Sequence, residues 1–377
     1  MYERLETSFF TSSFRNQGKM AIKSVLIGVS GGVDSAVAAH LLKEKGYRVE
    51  GLYIYNGFPN RAENDAVRVA EKLSIPLHRI DIARSFRNDV VNYFLAEYKS
   101  ARTPNPCIIC NKKIKFHYLL NEAKKRRFDY IATGHYARIK SLGGTNGLRL
   151  TRGKDRKKDQ TYFLFQLGQK ELGTLLLPNG NVTKDEVKQV GSDLGFGALT
   201  ERESQEICFI PDDDYKGFIE KDHIFQSGNI VTTRGKIVGR HRGIHSLTIG
   251  QRRGLNIASE RPYYVLEIDK EKNEVIVGRD EDQYCDGLIV QNITWASQIY
   301  SAATTIKAIT HIRYRHRGAA SEITVSPPVN GKKYNADTVY VRFDTPQKAI
   351  APGQAAVFYQ GDILIGGGWI MKGVHGD

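Results

Sequence analysis

Cysteine, methionine and tryptophan are scarce in this sequence of 377 residues, which contains four, three and two of them respectively. Four cysteines are too few for the disulfide framework of a small secreted protein, so we expect intracellular thiols that are available for chemistry. No apolar run approaches the roughly 18 residues that a membrane-spanning helix requires. The polar N-terminus also lacks the apolar core of a secretory signal. These absences argue against a secreted scaffold or a membrane protein and predict a cytoplasmic location.

Acidic residues are also in deficit, since 41 of them face 55 lysines and arginines, for a net charge of +14. A basic balance suits a polyanionic partner, although an ATP-binding enzyme or a generally basic proteome explains it too. A hydrophobic content of 41% with 25% charged residues is typical of globular proteins. At this length we expect two or three domains.

A segment rich in glycine and serine, Ser30 to Ser35, lies between an apolar run at 25–29 and a helical pattern at 36–42. Backbone N–H groups at such a strand-to-helix turn bind anions, and glycine lets the backbone approach a phosphate closely. The segment is neither a Walker loop nor a Gly-x-Gly-x-x-Gly motif. A plain glycine-rich turn is the alternative. However, Asp34 beside a phosphate needs an intervening cation, which indicates Mg²⁺.

The pattern up to residue 133 predicts an α/β domain, in which a parallel sheet carries helices on both faces. Short apolar runs indicate strands and amphipathic runs indicate helices: strands at 25–29, 50–54, 77–81 and 129–133, and helices at 33–45, 62–73, 85–98 and 111–126. Ligands of such sheets lie beyond the carboxyl ends of the strands. The Ser30–Ser35 loop, Ile54 and residues 133–135 should therefore converge on one cleft.

The pattern changes after residue 182. Thr183 and Glu186 form a capping-box pair that predicts a helix up to residue 194. From residue 228, short β-like runs predict small β domains or barrels, with strands at 229–240, 243–249 and 304–315 among others. We expect four parts: a disordered extension at 1–22 with Met20 as a candidate start, a catalytic ATP-binding domain at 23–217, a small central β-rich domain at 218–282, and a C-terminal β-barrel domain at 283–377.

Cys107 and Cys110 follow an extended segment in which two prolines precede a helix. Thiols at a helix N-terminus, close to lysines at 112, 113 and 115, should be exposed and have lowered pKa values. Two buried and inert cysteines are the alternative. A structural zinc site needs four ligands, and the sequence has no second Cys-x-x-Cys pair.

Two basic segments suit a nucleic-acid partner. Residues 152–158 contain five lysines and arginines. Such a run suits the binding of phosphates, and a solvated loop explains it equally well. If residues 311–317 form a strand, Arg313, Arg315 and Arg317 share one face, and Tyr314 on the other face can stack on a base. A barrel-edge strand kept soluble by its charge is the alternative.

Eight segments resemble the tRNA-specific 2-thiouridylase (MnmA) family of PP-loop ATP pyrophosphatases: 30–35, 103–116, 132–136, 158–164, 207–210, 248–255, 313–315 and 351–354. The resemblance implies a PP-loop domain, a small central domain and a C-terminal β-barrel. It also implies that ATP adenylates the C2 oxygen of the wobble uridine in tRNA. Sulfur from a persulfide-carrying protein or from sulfide then replaces that oxygen, which yields 2-thiouridine, AMP and pyrophosphate.

The same resemblance implies roles for individual residues. Cys110 matches the nucleophilic cysteine of the family, and Cys208 matches the cysteine that carries a persulfide. ATP contacts are implied for Gly28, Val29, Ser30, Gly31, Gly32, Val33, Asp34, Ser35, Ile54 and Gly134. The target base is expected to meet Asn105, Pro106 and Cys107, and tRNA contacts are implied for His135, Lys158, Asp159, Gln160, Arg313, Tyr314 and Gln354.

Two departures from the family pattern matter. Many members have aspartate in place of Cys107, so this chain has three thiols, Cys107, Cys110 and Cys208. These thiols can hold a [4Fe-4S] cluster with one open iron, or they can relay a persulfide through a transient disulfide. Residues 54–57 also replace the usual Met-Lys-Asn-Trp, which affects the expected adenine packing. Alternative functions are adenylation of a small-molecule acceptor and a non-catalytic RNA-binding or iron–sulfur protein.

Overall fold

A computed structural model describes most of the chain, namely residues 22–58, 61–143, 147–201, 207–210, 212, 214–221, 225–302, 304–325, 328–329, 332–333 and 337–376. The predicted extension at 1–22 lies outside these residues except for Ile22. No described helix is long and apolar enough to cross a membrane.

The N-terminal domain is built on a parallel sheet, as predicted. Its first strands are β1 (Ser24–Gly28), β2 (Arg48–Tyr55), β3 (Leu77–Asp81) and β4 (Tyr130–Ala132); the hairpin β5 (Ala137–Ser141) and β6 (Leu148–Arg152) leaves the sheet, and β7 (Leu175–Leu176) returns to it. The strand order is β3-β2-β1-β4-β7, and every pairing is parallel. The two-residue β7 escaped prediction because so short a strand carries no periodicity.

Helices cover both faces of this sheet, so the interior of β1 is fully buried. They are α1 (Val33–Glu44), α2 (Ala62–Leu73), α3 (Ala83–Phe86), α4 (Asn92–Lys99), α5 (Pro106–Ile109), α6 (Phe116–Lys125), α7 (Gln169–Leu172), α8 (Lys184–Asp193), α9 (Gly197–Thr200) and α10 (Tyr215–Glu220). Two π-helical segments, Arg87–Val91 and Cys110–Lys115, join α3 to α4 and α5 to α6. The predicted capping box at Thr183 and Glu186 is confirmed.

A small sheet follows in the central region. It contains β8 (Gly228–Thr232), β9 (Ile237–His241), β10 (Tyr264–Asp269) and β11 (Glu274–Gly278) in the order β10-β11-β8-β9. The strand expected at 229–240 is in fact a hairpin that turns at Gly235. The prediction of a strand at 243–249 is wrong, because Ile244–Ser246 forms a 3₁₀ turn. Within this turn, the consecutive residues Ile244 and His245 are both buried. In a strand with one solvent-exposed face, consecutive side chains would alternate between buried and exposed.

The C-terminal region closes into a barrel. Its elements are β12 (Tyr284–Trp295), α11 (Gln298–Ala302), β13 (Thr305–His311), β14 (Ala319–Val325), β15 (Pro328–Val329), β16 (Lys332–Lys333), β17 (Thr338–Lys348), β18 (Ala355–Gln360) and β19 (Ile363–Val374). The sheet runs β12-β17-β14-β13-β18-β19, and β19 pairs with β12 to complete the circle. The β5–β6 hairpin extends this sheet from β19.

The catalytic domain and the barrel share one apolar core. Leu26 of β1 and Phe116 of α6 belong to the same buried cluster as Val357, Tyr359 and Leu364 of the barrel. The hydroxyl of Tyr162 also donates a hydrogen bond of 2.9 Å to the carbonyl of Ala355. Because apolar burial dominates folding energy, the barrel is packed as part of the catalytic half of the molecule.

Candidate active site

The Ser30–Ser35 loop connects β1 to α1 at the carboxyl edge of the sheet. The hydroxyl of Ser35 donates to the Gly32 carbonyl at 2.9 Å and accepts from the Ser30 N–H at 3.2 Å. Gly31 has a φ of +78°, and a Cβ there would lie 2.4 Å from the carbonyl oxygen of Ala62, so glycine is required. The N-cap of α1 is Gly32, which has no side chain to satisfy the first N–H groups, and these groups are therefore available to an anion.

Asp34 is held by two groups from distant parts of the chain. The Tyr136 hydroxyl donates to its Oδ1 atom at 2.6 Å, and the Lys184 ammonium does so at 2.5 Å. Both donors reach Oδ1, which leaves Oδ2 open to a hydrated cation such as Mg²⁺ as far as the described residues go. Lys184, the first residue of α8, brings a positive charge to the loop. The sequence predicted its helix but carried no signal that the lysine meets Asp34.

Gly134 and Asn179 fasten the segment after β4 to this loop. A Cβ on Gly134 would lie 2.7 Å from the Asp34 carbonyl oxygen and 2.9 Å from the Ser35 nitrogen. The fully buried amide of Asn179 donates to the carbonyls of Asp34 (2.9 Å) and Gly134 (3.0 Å). Ile54, the penultimate residue of β2, lies at the same edge and is half-buried. The predicted convergence of the three segments on this edge agrees with this geometry, whereas Asn179 was missed.

The thiols have a different environment from the predicted one. Cys110 is buried rather than exposed, and burial raises its pKa to about 12. Burial likewise raises the pKa values of Cys107 and Cys208. By accessible surface of the whole residue, Cys107 is half-buried and Cys208 is exposed. The expectation of lowered pKa values was therefore wrong for this state of the protein, because burial outweighs the positive charge of Lys115.

An aromatic cluster places Cys208 near the other two cysteines. Phe209, which follows Cys208, packs edge-on against Phe86 and Phe94 at ring distances of 5.6 and 5.5 Å. Cys110 belongs to the same buried cluster. The three thiols also act on one another electrostatically, so the two sequence-distant cysteine segments share one pocket.

Lys115 is the lysine that faces this pocket. The π-helical segment closes i→i+5 hydrogen bonds, so Cys110 and Lys115 lie one turn apart; in an α-helix they would point roughly 140° apart. Burial by itself lowers the pKa of Lys115, but the three cysteines outweigh burial and raise it. Its neighbours Lys112 and Lys113 instead pair with Glu171 and Asp89.

His135 connects the thiol pocket to the nucleotide loop. Its ring stacks on Phe116 at 5.8 Å and hydrogen-bonds the Thr133 hydroxyl at 2.8 Å. Burial, followed by the positive charge of Lys115, lowers the pKa of His135 to about 3. The ring is therefore neutral at physiological pH, and it stands between Lys115 on one side and, through Gly134, the Asp34 backbone on the other.

The described cysteines do not form a ready metal site. Within the described residues, no group of three or more histidine, cysteine, aspartate or glutamate side chains is placed to hold a metal ion. Cys107, Cys110 and Cys208 are thus not arranged around a single metal ion. We therefore derive no step through iron.

The segment predicted to meet the target base is clamped by the barrel. The Gln354 amide donates to the carbonyls of Thr103 (3.1 Å) and Pro104 (3.3 Å), and the Thr103 N–H donates to the Pro352 carbonyl at 2.8 Å. Asn105 is half-buried and Pro106 is buried at the start of α5. In this state Gln354, a predicted tRNA contact, therefore positions the segment that was predicted to contact the base.

The basic run at 152–158 is largely neutralised within the protein. Lys154 pairs with Glu186 at 2.8 Å, and Arg156 pairs with Asp362 at 2.5 Å. Arg152 lies 4.2 Å over the Tyr359 ring and contacts His311 at 2.6 Å. Lys157 and Lys158 are exposed and form no salt bridge with a described residue. These two lysines are the part of the run that remains available to a phosphate backbone.

Asp159 and Gln160, two further predicted tRNA contacts, hold the loop itself. The buried carboxylate of Asp159 accepts from the Gly153 N–H at 2.9 Å and from the Thr161 hydroxyl at 2.6 Å. The side-chain carbonyl of Gln160 accepts from the Tyr136 N–H at 3.0 Å. Both residues thus shape the base of the loop that presents Lys158.

The arginines at 313, 315 and 317 do not form a row along one strand face. Strand β13 ends at His311, and residues 312–315 turn instead of continuing it. Tyr314 packs against Phe163 at a ring distance of 4.4 Å, which fixes the turn to the catalytic domain. Arg313 is exposed beside it. The strand prediction was wrong because the apolar contact of Tyr314 lies on the catalytic domain rather than inside the barrel.

Three family descriptions match consecutive parts of the chain. These are the "tRNA methyl transferase HUP domain" at 23–212, the "tRNA methyl transferase PRC-barrel domain" at 216–279 and the "Aminomethyltransferase beta-barrel domain" at 285–370. Curated proteins similar over most of the chain are tRNA-specific 2-thiouridylases MnmA: one from Syntrophus aciditrophicus is 48% identical over 86% of this chain and 99% of its own length. The chain belongs to the MnmA family.

Other members of the MnmA family show the same likeness. The protein from Lachnoclostridium phytofermentans is 43% identical over 93% of this chain and all of its own length, and that from Geobacter metallireducens is 41% identical over 93% and 97%. Among solved structures, NMN synthetase from Francisella tularensis is 20% identical, covers 52% of this chain and 72% of its own, and has a TM-score of 0.33. That likeness is too low to bear on function.

Proposed function

We propose that this chain replaces the C2 oxygen of the wobble uridine in tRNA with sulfur at the expense of ATP. One observation carries the proposal: a path of neighbouring groups, joined by one backbone contact and by electrostatic interactions, leads from the nucleotide loop to the three thiols. Gly134 abuts the loop at Asp34, and the adjacent His135 senses the charge of Lys115. Lys115 in turn faces Cys107, Cys110 and Cys208. A base lying between the two ends of this path is activated from one side and receives sulfur from the other.

The loop end of the path supports the activation step. The free N–H groups of α1 and the Lys184 ammonium suit the phosphates of ATP, and Mg²⁺ held through Asp34 would neutralise the pyrophosphate that leaves. The C2 oxygen of the uridine attacks the α-phosphate, which breaks the bond to pyrophosphate and leaves the oxygen adenylated. The C2 oxygen is a poor leaving group by itself, and after adenylation it leaves as part of AMP.

The thiol end of the path supports the sulfur step. Cys208 is the exposed thiol, so we assign it the transfer of a sulfane sulfur from an external persulfide, whose own thiol is released. The terminal sulfur attacks C2, and the bond from C2 to the AMP oxygen breaks. The Cys110 thiolate then attacks Cys208, the old S–S bond breaks with its electron pair leaving on the product sulfur, and a Cys110–Cys208 disulfide remains. An external dithiol reduces this disulfide.

The decisive assay is 2-thiouridine formation. Purified protein with tRNA, Mg-ATP and a persulfide donor should produce 2-thiouridine, AMP and pyrophosphate, and cells without the protein should lose 2-thiouridine at the wobble position. Cys110→Ala and Cys208→Ala should abolish the product. The control is Cys285→Ala, because Cys285 is buried in the barrel near His375. Unchanged thiolation in cells without the protein would refute the proposal.

A substitution at Cys107 separates the relay from an iron–sulfur cluster. Many relatives have aspartate at this position, so the relay predicts that Cys107→Asp keeps its activity. A [4Fe-4S] cluster on Cys107, Cys110 and Cys208 instead predicts that anaerobically purified protein is brown, and that Cys107→Asp loses iron, sulfide and activity together. Full activity of a colourless, iron-free preparation supports the relay.

An ATP-dependent modification of tRNA also fits the cytoplasmic location expected from the sequence.

A further inference from the structure

A cavity of about 500 Å³ lies where the β5–β6 hairpin meets the barrel. Its walls come from three parts of the chain: Arg149 and Leu150 of β6, the segment 167–172, and the segment Trp295–Ile299 with Leu364. This volume is in the range of small-molecule sites. The cavity lies away from the Ser30–Ser35 loop and the cysteines, none of which lines it.

Arg149 makes this cavity chemically distinctive. Only 2% of the residue is exposed, and its Nη1 donates to the Leu148 carbonyl at 2.8 Å. Its Nε–H has no hydrogen-bond partner, and among the described residues it forms no salt bridge with a carboxylate. Buried arginines are ordinarily paired, because an isolated buried charge is costly. The guanidinium is thus a buried cation that has an unpartnered Nε–H among the described residues, and Arg149 is one of the residues that line the cavity.

The remaining walls restrict what can pair with that cation. Leu150, Leu167, Leu172 and Leu364 are buried and apolar, and the Trp295 side chain adds an aromatic surface. A single guanidinium neutralises one negative charge, whereas a phosphate monoester carries about −1.5 to −2 at pH 7. The polar side chains in the wall, Gln169, Ser297 and Gln298, are neutral, and Arg149 is the one cation among the lining residues, so the excess charge of a phosphate would stay uncompensated, which is unfavourable. A carboxylate matches both the charge and the planar donors of arginine.

We propose that this cavity binds a monocarboxylate with an apolar body, whose carboxylate pairs with Arg149 and whose hydrocarbon part fills the leucine-lined space. The occupant would contact β6 of the catalytic domain together with the Trp295–Ile299 segment of the barrel. Binding should therefore stabilise the folded protein. Two sources share this chemistry, a free small acid and the C-terminal residue of a peptide. The site is independent of the function proposed above.

The test uses the full chain with hexanoate as the probe, hexanamide as its neutral counterpart, N-acetyl-leucine as a mimic of a peptide C-terminus, and inorganic phosphate. Hexanoate should raise the unfolding temperature in a concentration-dependent way, whereas hexanamide and phosphate should not. A larger shift with N-acetyl-leucine than with hexanoate would identify a peptide terminus as the source, and the reverse order a free acid. No shift with either acid, or an equal shift with hexanamide, would overturn the proposal.

Arg149→Met tests the role of the cation. It should abolish the hexanoate shift while the ligand-free unfolding temperature stays the same or rises, because a buried unpaired charge is removed. The matched control is Lys140→Met, which removes one charge from the exposed residue opposite Arg149 in the β5–β6 hairpin, and which should keep the full shift. A shift that persists in Arg149→Met would refute the assignment.

A fluorescence titration covers the case in which Arg149→Met fails to fold. The chain has two tryptophans: Trp295 lines the cavity, and Trp369 packs elsewhere against Phe165. Hexanoate should change the tryptophan emission of the wild-type protein, and this change should disappear in Trp295→Phe. An unchanged wild-type emission during saturating titration would contradict binding at this cavity.

Discussion

Lys115 is the single residue on which the reactivity of the thiols depends most. It is the charge that lowers the pKa values of Cys107, Cys110 and Cys208, against burial that raises them. Burial is the larger effect, so in the free protein the thiols are mainly protonated at neutral pH. The attacking species in a sulfur relay is the thiolate. In the proposed relay, the balance between burial and Lys115 therefore sets how much thiolate is available for the sulfur step.

Alkylation of Cys208 measures this balance. Because its pKa is raised, the rate of iodoacetamide modification should climb steadily from pH 7 to pH 9. Lys115→Gln removes the stabilising charge and should slow alkylation several-fold at each pH, as followed by mass spectrometry of the peptide that contains Cys208. Lys113→Gln is the control, since Lys113 pairs with Asp89 on the protein surface. Equal rates in all three proteins would show that Lys115 does not act on this thiol.

His135 makes a second prediction at the same scale. Its pKa in the folded protein, about 3, lies below the value of about 6.5 in an unfolded chain. Between these values the unfolded state binds one more proton, so stability falls as pH decreases, by up to about 1.4 kcal/mol per pH unit. His135→Asn should remove this part of the slope in urea denaturation between pH 6 and pH 4. A slope identical to that of the wild type would contradict a buried neutral ring.

At the scale of elements, the loop before α1 depends on close backbone contact with the segment after β4. Gly134 lies against Asp34 and Ser35 with no space for a side chain, while Asn179 connects the two segments through hydrogen bonds to the carbonyls of Asp34 and Gly134. The Ser30–Ser35 motif is thus insufficient by itself, because its position is set by a strand end a hundred residues away.

Gly134→Ala should displace the loop. The added Cβ would lie 2.7 Å from the Asp34 backbone, which is too close for any contact without movement. We expect at least a tenfold loss of ATP affinity, equivalent to about 1.4 kcal/mol, measured by titration with ATP or a non-hydrolysable analogue. Gly197→Ala is the matched control, because a Cβ at Gly197 meets nothing within 4 Å. Equal affinities for the two variants would contradict the proposed ATP site.

At the scale of the whole molecule, the basic residues behind the net charge of +14 are not all equally available to RNA. Lys154 and Arg156 are paired with Glu186 and Asp362, whereas Lys157 and Lys158 remain exposed. Only charges without a protein partner release counterions when they meet phosphates. Location and pairing therefore matter more for tRNA binding than the total.

Salt dependence of tRNA binding tests this distinction. Lys157→Gln with Lys158→Gln should reduce the slope of log Kd against log salt by roughly one to two units. Lys154→Gln with Arg156→Gln removes the same total charge and should change the slope less, since each of these residues is already neutralised. The measurement is a filter-binding or anisotropy series from low to high salt. A larger effect of the second pair would refute the assignment.

Gln354 shows how the three scales meet. Local pattern placed it in a barrel loop, but the structure shows it holding the carbonyls of Thr103 and Pro104. The core shared by Phe116, Phe165, Val357 and Tyr359 keeps that barrel loop against the catalytic domain. The segment proposed to meet the target base is therefore held in place by a domain that is distant in sequence.

The sequence by itself determined the elements whose signals are local. The Ser30–Ser35 loop, the parallel strands β1 to β4, the helices predicted at 33–45, 62–73, 85–98 and 111–126 and the capping box of α8 depend on neighbouring residues. They agree with the structure except that the third and fourth helices contain π-helical segments and the fourth begins at Pro106. The tertiary structure alone decided which groups meet and how far each is buried. It paired Lys184 with Asp34, buried the Cys110 thiol, ended β13 before Tyr314 and left Arg149 beside a cavity without a carboxylate partner among the described residues. Burial and charge pairing depend on residues far apart in the chain, so no local pattern encodes them.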